Sequence, residues 1–284
     1  MKDNNLQTNL TIKLNQKLYD FSEPMIMGII NVTPDSFYEG SRVQNEKIFL
    51  EKLAKWQKQG VNIIDLGAIS TRPNANLQDS NEELNRLIPF LKLALMHFPE
   101  MAISIDTFRS DVAKEALDMG AHLINDVYAN RFDGQMMDVI AEYNVPYVLM
   151  HSRGDASDMN EMTDYKNIVS DVIKELQISL TQLREKGVKD VIIDPGFGFA
   201  KTIEQNYTLL NNLSDLNILE CPILVGVSRK SMLYKPLKKQ PNEVLHATTA
   251  LNLLALSKGA SILRVHDVNE AKDMVEISKL LNRD

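Results

Sequence analysis

The chain has 284 residues, of which 44% are hydrophobic and 24% charged, a composition typical of a water-soluble globular protein. Its formal net charge of -7 is spread along the sequence without a basic block, which argues against binding to nucleic acid or to an anionic membrane surface. No stretch approaches the ~18 apolar residues of a membrane span. The single cysteine, Cys221, excludes an intrachain disulfide, so we expect a reducing compartment, the cytoplasm.

The beginning of the chain predicts a small β-hairpin. Residues 11–14 and 17–21 alternate between polar and apolar side chains on either side of Asn15 and Gln16, and this period of two is typical of paired strands. We expect residues 1–23 to form an N-terminal extension whose hairpin covers the bottom of the domain that follows, residues 24–284.

In that domain, apolar runs and helical patterns alternate eight times. The predicted strands are near-continuous apolar segments, as expected of strands buried on both faces, and cover residues 25–30, 61–66, 102–105, 122–124, 146–150, 191–193, 223–227 and 262–265. The predicted helices cover residues 45–59, 81–97, 110–119, 134–142, 165–186, 203–213, 241–258 and 268–281. This alternation is typical of the α/β class and predicts a (β/α)8 TIM barrel, a single domain of about 250 residues.

Polar residues follow each predicted strand at its carboxyl end. They are Asn31, Asp65, Asp106, Asn125, Asp126, His151, Asp194, Ser228, Arg229, Lys230, Arg264 and His266. The interior of such a barrel is filled with side chains, and its chemistry takes place at the carboxyl ends of the strands. The placement therefore predicts an enzyme with its active site on this rim.

The helix predicted over residues 241–258 has more apolar residues than one buried face requires. The surplus lies in Leu251, Leu253, Leu254, Ala255 and Leu256. A homodimer interface would explain it, and tight packing against a neighbouring helix would explain it equally well.

Seven segments carry a more specific pattern. They are 27–37 (MGIINVTPDSF), 64–73 (IDLGAISTRP), 104–109 (SIDTFR), 124–127 (INDV), 194–202 (DPGFGFAKT), 226–231 (GVSRKS) and 264–268 (RVHDV). In this order they resemble the blocks of the dihydropteroate synthase family of pterin-binding enzymes, over roughly residues 24 to 280. An isolated Asp or Asn at a strand end is more often a helix cap or turn residue than a ligand, but seven ordered blocks favour the family.

The resemblance implies a barrel enzyme of folate biosynthesis. Such an enzyme condenses 6-hydroxymethyl-7,8-dihydropterin diphosphate with 4-aminobenzoate and releases 7,8-dihydropteroate and diphosphate. Sulfonamides would compete for the 4-aminobenzoate pocket. The carbon–oxygen bond to the diphosphate would break largely before the amine attacks, so the enzyme would act mainly by electrostatic preorganisation.

The same resemblance assigns the pterin contacts. Asp194 would accept the adjacent amino and ring N–H groups, since a carboxylate accepts such a pair in a bidentate manner. Asn125 and Asp106 would contact the remaining ring edge, and Lys230 would donate to the carbonyl or a ring nitrogen. Arg264 would stack on the ring and reach the diphosphate, two roles that a planar guanidinium can combine.

The leaving diphosphate needs cationic and hydrogen-bonding groups around it. The sequence offers Ser70, Thr71, Arg72, Arg264 and His266 for this role. Asn31 matches the position through which the family is thought to hold Mg²⁺, an ion commonly bound through phosphates and one or two protein oxygens. We therefore expect Mg²⁺ as the cofactor, bound together with the diphosphate.

The loops after the first two strands would close over the site. Together with neighbouring residues they would form the 4-aminobenzoate pocket from Phe37, Thr71, Pro73, Phe199, Ser228 and Lys230, with Ser228 at a helix N-terminus that suits a carboxylate. The residues expected to take part in catalysis are Asp35, Arg72, Lys230, Arg264 and His266.

Some positions depart from the family pattern. Ile69 replaces an acidic residue and Asn74 a glycine in the second loop, which bears on how that loop closes. The segment 151–154 (HSRG) also differs, and His151 is interpreted as structural rather than catalytic. No departure removes an expected pterin contact.

Three other functions remain open from the residues. A methyltetrahydrofolate-binding methyltransferase domain would share the barrel and a similar pterin site, but the segments 31–37 and 228–230 argue against it. A degenerate homologue could bind pterin without turnover. Lys230 at a strand end could also indicate a Schiff-base aldolase, although its surroundings give no reason for that chemistry.

Overall fold

The computed structural model describes residues 10–32, 42–69, 79–154 and 161–281, with the backbone alone for residues 42–44. It begins with an antiparallel hairpin of strands β1 (Ile12–Leu14) and β2 (Lys17–Tyr19), turned at Asn15 and Gln16, both in the left-handed region. The predicted hairpin is therefore confirmed. None of the helices in these ranges is long and apolar enough to cross a membrane.

Eight parallel strands follow and form a barrel. They are β3 (Met25–Asn31), β4 (Ile63–Gly67), β5 (Ala102–Asp106), β6 (Leu123–Asp126), β7 (Tyr147–Met150), β8 (Val191–Asp194), β9 (Leu224–Val225) and β10 (Ile262–Val265). Their order around the sheet is β8-β7-β6-β5-β4-β3-β10-β9. A bridge between Ile193 and Ile223 joins β8 to the segment that leads into β9 and completes the ring. The predicted (β/α)8 barrel is confirmed.

Helices alternate with these strands on the outside of the sheet. They are α1 (Arg42–Lys58), α2 (Ser80–His97), α3 (Ser110–Asp118), α4 (Met136–Tyr143), α5 (Ile168–Glu185), α6 (Ile203–Asn211), α7 (Ser231–Tyr234), α8 (Leu245–Ser257) and α9 (Val268–Leu281). The sequence did not predict α7, a single turn between β9 and α8. Two short 3-10 helices, Leu213–Leu219 and Pro241–Glu243, complete the connections.

The largest difference from the predicted elements lies around β9. The apolar run 223–227 predicts five strand residues, but only Leu224 and Val225 pair in the sheet. The backbone turns at the end of the run, because the amide of Lys230 donates to the carbonyl of Val227 at 3.2 Å. Arg229 within this turn has a φ of 58°. The apolar run therefore predicts which residues are buried, whereas the turn after it determines where strand pairing ends.

The apolar core has two layers. The outer layer lies between the sheet and the helices. The inner layer fills the barrel with Met25, Met27, Ile63, Ala102, Leu123, Val148, Ile192, Leu224 and Ile262. Ile12 and Leu14 of the hairpin pack into this inner layer and are almost completely buried, so the hairpin closes the bottom of the barrel as expected.

The strand register sets the polar residues of the opposite rim at one level. Asn31 on β3 pairs with Gly67 on β4, which pairs with Asp106 on β5, which pairs with Asn125 on β6. On the other side of the barrel, Asp194 is the last residue of β8 and pairs with Met150 of β7. The carboxyl ends of the strands therefore present a ring of polar side chains.

Candidate active site

An arginine from β10 crosses the rim and joins side chains of three other strands. The Arg264 guanidinium donates through Nε to Asp65 Oδ2 at 2.6 Å and through Nη2 to Asp106 Oδ2. Asp65 Oδ2 also accepts from Asn125 Nδ2 at 3.0 Å. Three residues expected to contact the pterin are thus held in one hydrogen-bonded group around a fourth, Asp65, which is fully buried.

The other half of the rim is built from the loop after β8. Asp194 Oδ1 accepts from the amide of Gly196 at 2.7 Å, which fixes the carboxylate at the end of its strand. Lys230 Nζ donates to the carbonyl of Phe197 at 2.5 Å and lies 4.7 Å from the centre of the Phe199 ring. The expected pterin carboxylate, the lysine and the aromatic residue of the expected 4-aminobenzoate pocket therefore meet at one loop.

Burial and mutual charge shift the pKa values of these groups. Loss of hydration lowers the pKa of Lys230 to about 8, with Arg264 adding to the shift and Asp194 opposing it. Burial raises the pKa of Asp194, against the influence of Lys230 and Gly196. It also raises the pKa of Asp106, although Arg264 opposes the shift. Clustered perturbed groups of this kind mark functional sites.

His266 is a neutral ring at physiological pH. Burial, helped by Arg229 and Arg264, lowers its pKa to about 4. Ser228 Oγ accepts from the backbone amide of His266 at 3.3 Å and lies 3.0 Å from its Nδ1. Either neutral tautomer satisfies this contact, because the hydroxyl can donate to Nδ1 or accept from it; with its proton on Nε2, the ring can donate to a ligand. As a neutral ring, His266 can serve an anion as a hydrogen-bond donor, one of the two kinds of group expected around the diphosphate.

The expectation for Ser228 needs a correction. Helix α7 begins at Ser231, with Lys230 as its N-cap, so Ser228 lies three residues before the helix. Ser228 is buried and bonded to His266, whereas Ser231 is half-buried at the first helical position. The family resemblance placed Ser228 at a helix N-terminus, whereas in the structure the turn at 227–230 separates it from the first residue of α7.

Asn31 has a surrounding that suits the metal expected from the sequence. It ends β3 and is half-buried, and its Oδ1 lies 3.3 Å from the position that a Cβ on Gly67 would take. Within the described ranges, no group of three or more His, Cys, Asp and Glu side chains could hold a metal ion. A single amide oxygen fits a Mg²⁺ ion whose other ligands are phosphate and water.

Several predicted site residues lie outside the described residues. They are Asp35, Phe37, Ser70, Thr71, Arg72 and Pro73, together with Asn74. Ile69, which precedes them, is described and packs in an apolar cluster with Phe108, Val127, Tyr128 and Met150. Ile69 is 9% exposed, so an acidic side chain would there be buried among apolar groups. This packing gives the departure at position 69 a physical reason.

The structure adds a second polar group behind the β8 loop. Lys201 Nζ donates to the carbonyls of Gly196 at 2.9 Å and Phe199 at 3.0 Å, and it lies 2.9 Å from Nδ1 of His151. His151 Nε2 lies 3.0 Å from Oε2 of Glu175 on α5. The interpretation of His151 as structural agrees with this buried position.

Sequence reasoning missed the roles of Asp65 and Lys201. Both residues lie in segments that resemble the family, but their residue types alone did not assign either of them a contact with substrate. Asp65 was visible as a carboxylate at a strand end, and only the register of β4 against β3 and β5 brings it toward Arg264. Lys201 acts on backbone carbonyls, whose positions a sequence does not reveal.

Comparison with known proteins identifies the family. The sequence pattern described as "Pterin binding enzyme" matches residues 27–266. Dihydropteroate synthase of Clostridium beijerinckii is 37% identical over 276 residues, which cover 96% of this chain and 100% of that protein. The crystal structure of Yersinia pestis dihydropteroate synthase with a sulfonamide drug superposes with a TM-score of 0.89 at 34% identity, covering 96% of this chain and 99% of that one.

A second solved structure also superposes over nearly the whole chain. The structure of Thermus thermophilus dihydropteroate synthase in complex with 4-aminobenzoate superposes with a TM-score of 0.85 at 34% identity, covering 95% of this chain and 99% of that one. Sequence and structure agree over nearly the whole chain in each comparison. The chain therefore belongs to the pterin-binding enzyme family and, within it, to the dihydropteroate synthases, which are transferases of folate synthesis.

Proposed function

We propose that this protein condenses 6-hydroxymethyl-7,8-dihydropterin diphosphate with 4-aminobenzoate, releasing 7,8-dihydropteroate and diphosphate, by a largely dissociative displacement assisted by Mg²⁺. The observation that carries the proposal is the pair of polar groups on one rim, Arg264 with Asp106 and Asn125 on one side and Asp194 with Lys230 on the other. The complex of a relative with 4-aminobenzoate supports the second substrate.

The pterin is recognised by groups whose remaining hydrogen-bonding capacity matches its polar edges. Asp194 keeps acceptor capacity beyond the bond from Gly196 and takes the amino and ring N–H pair. Asn125 commits one N–H to Asp65, which leaves its carbonyl oxygen and second N–H for the ring. Asp106 accepts a further N–H, and Lys230 donates to the ring carbonyl or nitrogen.

The diphosphate lies beside the cationic side of the rim. Arg264 faces the ring and the phosphates, His266 donates from Nε2, and Thr71 and Arg72 of the second loop complete the set. Asn31 would supply one oxygen ligand to Mg²⁺, and the ion would neutralise phosphate charge. These groups stabilise the charge that develops on the leaving group, the role expected of preorganised donors.

The bond changes need no strong base. The bond between the pterin methylene carbon and the diphosphate oxygen breaks, and its electron pair leaves with the diphosphate. The ring system of the dihydropterin stabilises the resulting cation until the amine nitrogen of 4-aminobenzoate supplies an electron pair to the carbon. The amine then loses one proton to solvent. The protein orients the two substrates, and Asp35 of the first loop is proposed to take part in catalysis.

The 4-aminobenzoate pocket is formed by Phe37, Thr71 and Pro73 of the two loops together with Phe199, Ser228 and Lys230. Lys230 Nζ lies over the face of the Phe199 ring, 4.7 Å from its centre, so a cation and an aromatic ring stand together in this pocket. Ser228 is buried, and its hydroxyl oxygen lies 3.0 Å from Nδ1 of His266. Sulfonamides share the aromatic amine and compete here, as the complex of the Yersinia pestis relative supports.

The protein is proposed to act in the cytoplasm as a homodimer. The apolar helix α8 supports the homodimer, because its residues Leu251, Leu253 and Leu254 are only half-buried within the single chain. A dimer of this kind commonly buries the apolar face that a monomer leaves open. Sedimentation velocity of the purified protein is expected to give a dimer mass, and a monomer at micromolar concentration would contradict it.

Turnover is the decisive test of the reaction. Purified protein is incubated with dihydropterin-methyl diphosphate, 4-aminobenzoate and Mg²⁺, and diphosphate release is followed with and without 4-aminobenzoate. We expect diphosphate release that depends on 4-aminobenzoate and is lost in Lys230→Ala. Lys189→Ala is the control and should leave release unchanged, because Lys189 is exposed and lies just before β8, at the opposite end of that strand from Asp194. Tight pterin binding without release would indicate a degenerate homologue, and methyl transfer from methyltetrahydrofolate to a corrinoid would indicate a methyltransferase.

A further inference from the structure

The ammonium group of Lys201 lies beneath the loop that connects β8 to α6. Its three strongest contacts are the carbonyl oxygens of Gly196 and Phe199 and the Nδ1 atom of His151, at 2.9, 3.0 and 2.9 Å. An ammonium has three N–H donors, so these three acceptors satisfy it fully. Lys201 is thereby directed at the backbone of the loop rather than at the open rim.

His151 and Glu175 hold this ammonium in place. His151 accepts from Lys201 at Nδ1 only as a neutral ring, and its pKa is lowered to about 4 by burial and by Lys201. The ring proton is then on Nε2, which donates to Glu175 Oε2 at 3.0 Å. Arg153 pairs with the same carboxylate and lies 3.8 Å from the ring of Tyr165. The cation is thus anchored to α5 through two side chains.

The loop above Lys201 has a backbone that needs such support. Gly196, Gly198 and Ala200 have φ values of 70°, 79° and 48°, so three of five consecutive residues adopt the left-handed region. A Cβ on Gly196 would lie 1.8 Å from the carbonyl oxygen of His151. This close approach and the alternating backbone turn the carbonyls of Gly196 and Phe199 toward the ammonium.

The same loop presents two parts of the site to Lys230. The carbonyl of Phe197 accepts from Lys230 Nζ at 2.5 Å, and the Phe199 ring lies 4.7 Å from that atom. The Asp194 carboxylate also accepts from the Gly196 amide at 2.7 Å, but its backbone is held in the sheet by the pairing of β8 with β7. A change in the loop would therefore displace the Phe199 ring more than it displaces Asp194.

We propose that Lys201 is a positioning residue for the second substrate: by holding the carbonyls of Gly196 and Phe199, it sets the place of the Phe199 ring in the 4-aminobenzoate pocket. This inference rests on the proposed function, since Phe199 and Lys230 form part of the 4-aminobenzoate pocket. Lys201 itself contacts neither substrate.

The first test separates the two substrates in steady-state kinetics. Lys201→Met keeps the length of the side chain and removes its three donors. We expect the KM for 4-aminobenzoate to rise by about tenfold or more while the KM for the pterin diphosphate changes by less than about threefold. Lys189→Met, the same change at an exposed position, is the control and should leave both unchanged. An equal rise in both KM values, or no rise, would overturn the proposal.

A second pair of variants serves if Lys201→Met does not fold. His151→Asn keeps an acceptor near the place of Nδ1, whereas His151→Leu removes it. We expect the KM for 4-aminobenzoate to rise in the Leu variant and to be restored largely in the Asn variant, and equal values in the two would overturn the proposal.

Crystal structures of the wild type and the variants would show the position of the loop independently of enzyme activity. A shifted Phe199 ring supports the proposal, and a superposable loop overturns it. Inactive wild-type protein would count against the proposed reaction alone, so the two failures are distinguishable.

Discussion

Two cations at the rim differ in how firmly their charge is held. Arg264 has direct hydrogen bonds to two carboxylates, Asp65 and Asp106, and the pKa of its guanidinium is raised. Lys230 bonds a neutral carbonyl, and Asp194 acts on it only through space. Arg264 therefore stays charged at every working pH, while Lys230 can lose its proton within the range in which enzymes are assayed.

The lowered pKa of Lys230 predicts an alkaline limit to activity. Its value of about 8 means that the cation is present below this pH and is lost as the pH rises through it. Because the neutral amine is a weaker hydrogen-bond donor to the pterin ring than the ammonium, we expect kcat/KM for the pterin diphosphate to fall above about pH 8. The measurement is a pH profile of kcat/KM from pH 6 to 10.

Lys230→Arg provides the control for the alkaline fall in kcat/KM, because a guanidinium does not lose its proton between pH 6 and 10. The variant is expected to have lower activity with no fall near pH 8. Lys201, whose pKa is lowered to about 7 by burial, titrates in both proteins and so does not distinguish them. If kcat/KM of Lys230→Arg still fell near pH 8, a group other than Lys230 would be responsible for the fall.

Removal of Asp65 predicts a loss of both stability and activity. Asp65→Ala leaves Arg264 with Asp106 alone in a buried setting, and breaking a buried ion pair costs about 3 kcal/mol. The free energy of unfolding, measured by urea denaturation, should fall accordingly, and kcat/KM should drop by about tenfold or more because the guanidinium is no longer fixed. Glu100→Ala, which removes an exposed ion pair with Lys17, should change neither quantity.

At the level of single residues, the sequence predicted most of the polar side chains that the structure brings together on the rim. Asp106, Asn125, Asp194, Lys230 and Arg264 all follow apolar strands, and parallel strands in register bring their ends together. The protonation of His266 could not be predicted, because it depends on burial and on the cations around the ring.

At the scale of elements, the hairpin shows how a short segment completes the core. Its two strands have three residues each, yet Ile12 and Leu14 fill the bottom of the barrel, while Leu18 on the opposite strand is 72% exposed. Alternation in the sequence predicts which side chains point inward. The hairpin lies at the end of the barrel opposite to the rim, so it contributes to stability and not to substrate contacts.

The hairpin therefore yields a prediction with an internal control. Leu14→Ala should lower the free energy of unfolding by about 2 to 5 kcal/mol through the lost contacts and the remaining cavity. Leu18→Ala should change it by less than about 0.5 kcal/mol, since that side chain is in solvent. Both KM values should be unchanged in either variant. Equal effects of the two substitutions in urea denaturation would show that the hairpin does not close the core.

Other element boundaries moved for local reasons that a periodic pattern does not contain. The helix predicted over 203–213 ends at Asn211 and continues as the 3-10 helix Leu213–Leu219. The helix predicted over 241–258 begins four residues later, at Leu245, after a 3-10 turn started by Pro241. In both cases the apolar period continues across a change of helix type, so the pattern predicts the buried face and misses the boundary.

At the scale of the whole molecule, ligand binding should raise the melting temperature by mass action. With the pterin diphosphate at about 100 times its Kd and Mg²⁺ present, the stabilisation of about 2.7 kcal/mol corresponds to about 5 °C or more. Removing Mg²⁺ with a chelator should reduce this shift, because the diphosphate then faces Asn31 and the rim without its counterion. The readout is differential scanning fluorimetry.

Two controls isolate the metal in this experiment. A pterin without the diphosphate should give the same shift with and without Mg²⁺. Asn31→Ala should lose most of the difference that Mg²⁺ makes for the diphosphate ligand. If Mg²⁺ alone raised the melting temperature by the same amount, the metal would bind independently of the diphosphate.

The ring of strands has a weak joint, and the site spans it. In the part of the chain that the structure describes, β8 and the segment leading into β9 share one bridge, between Ile193 and Ile223. Asp194 stands on one side of this joint and Lys230 on the other. A pterin that contacts both residues would hold the two sides of this joint together. The backbone amides of residues 193 and 223–225 should therefore exchange their hydrogens with heavy water more slowly when the pterin is bound than in the empty enzyme.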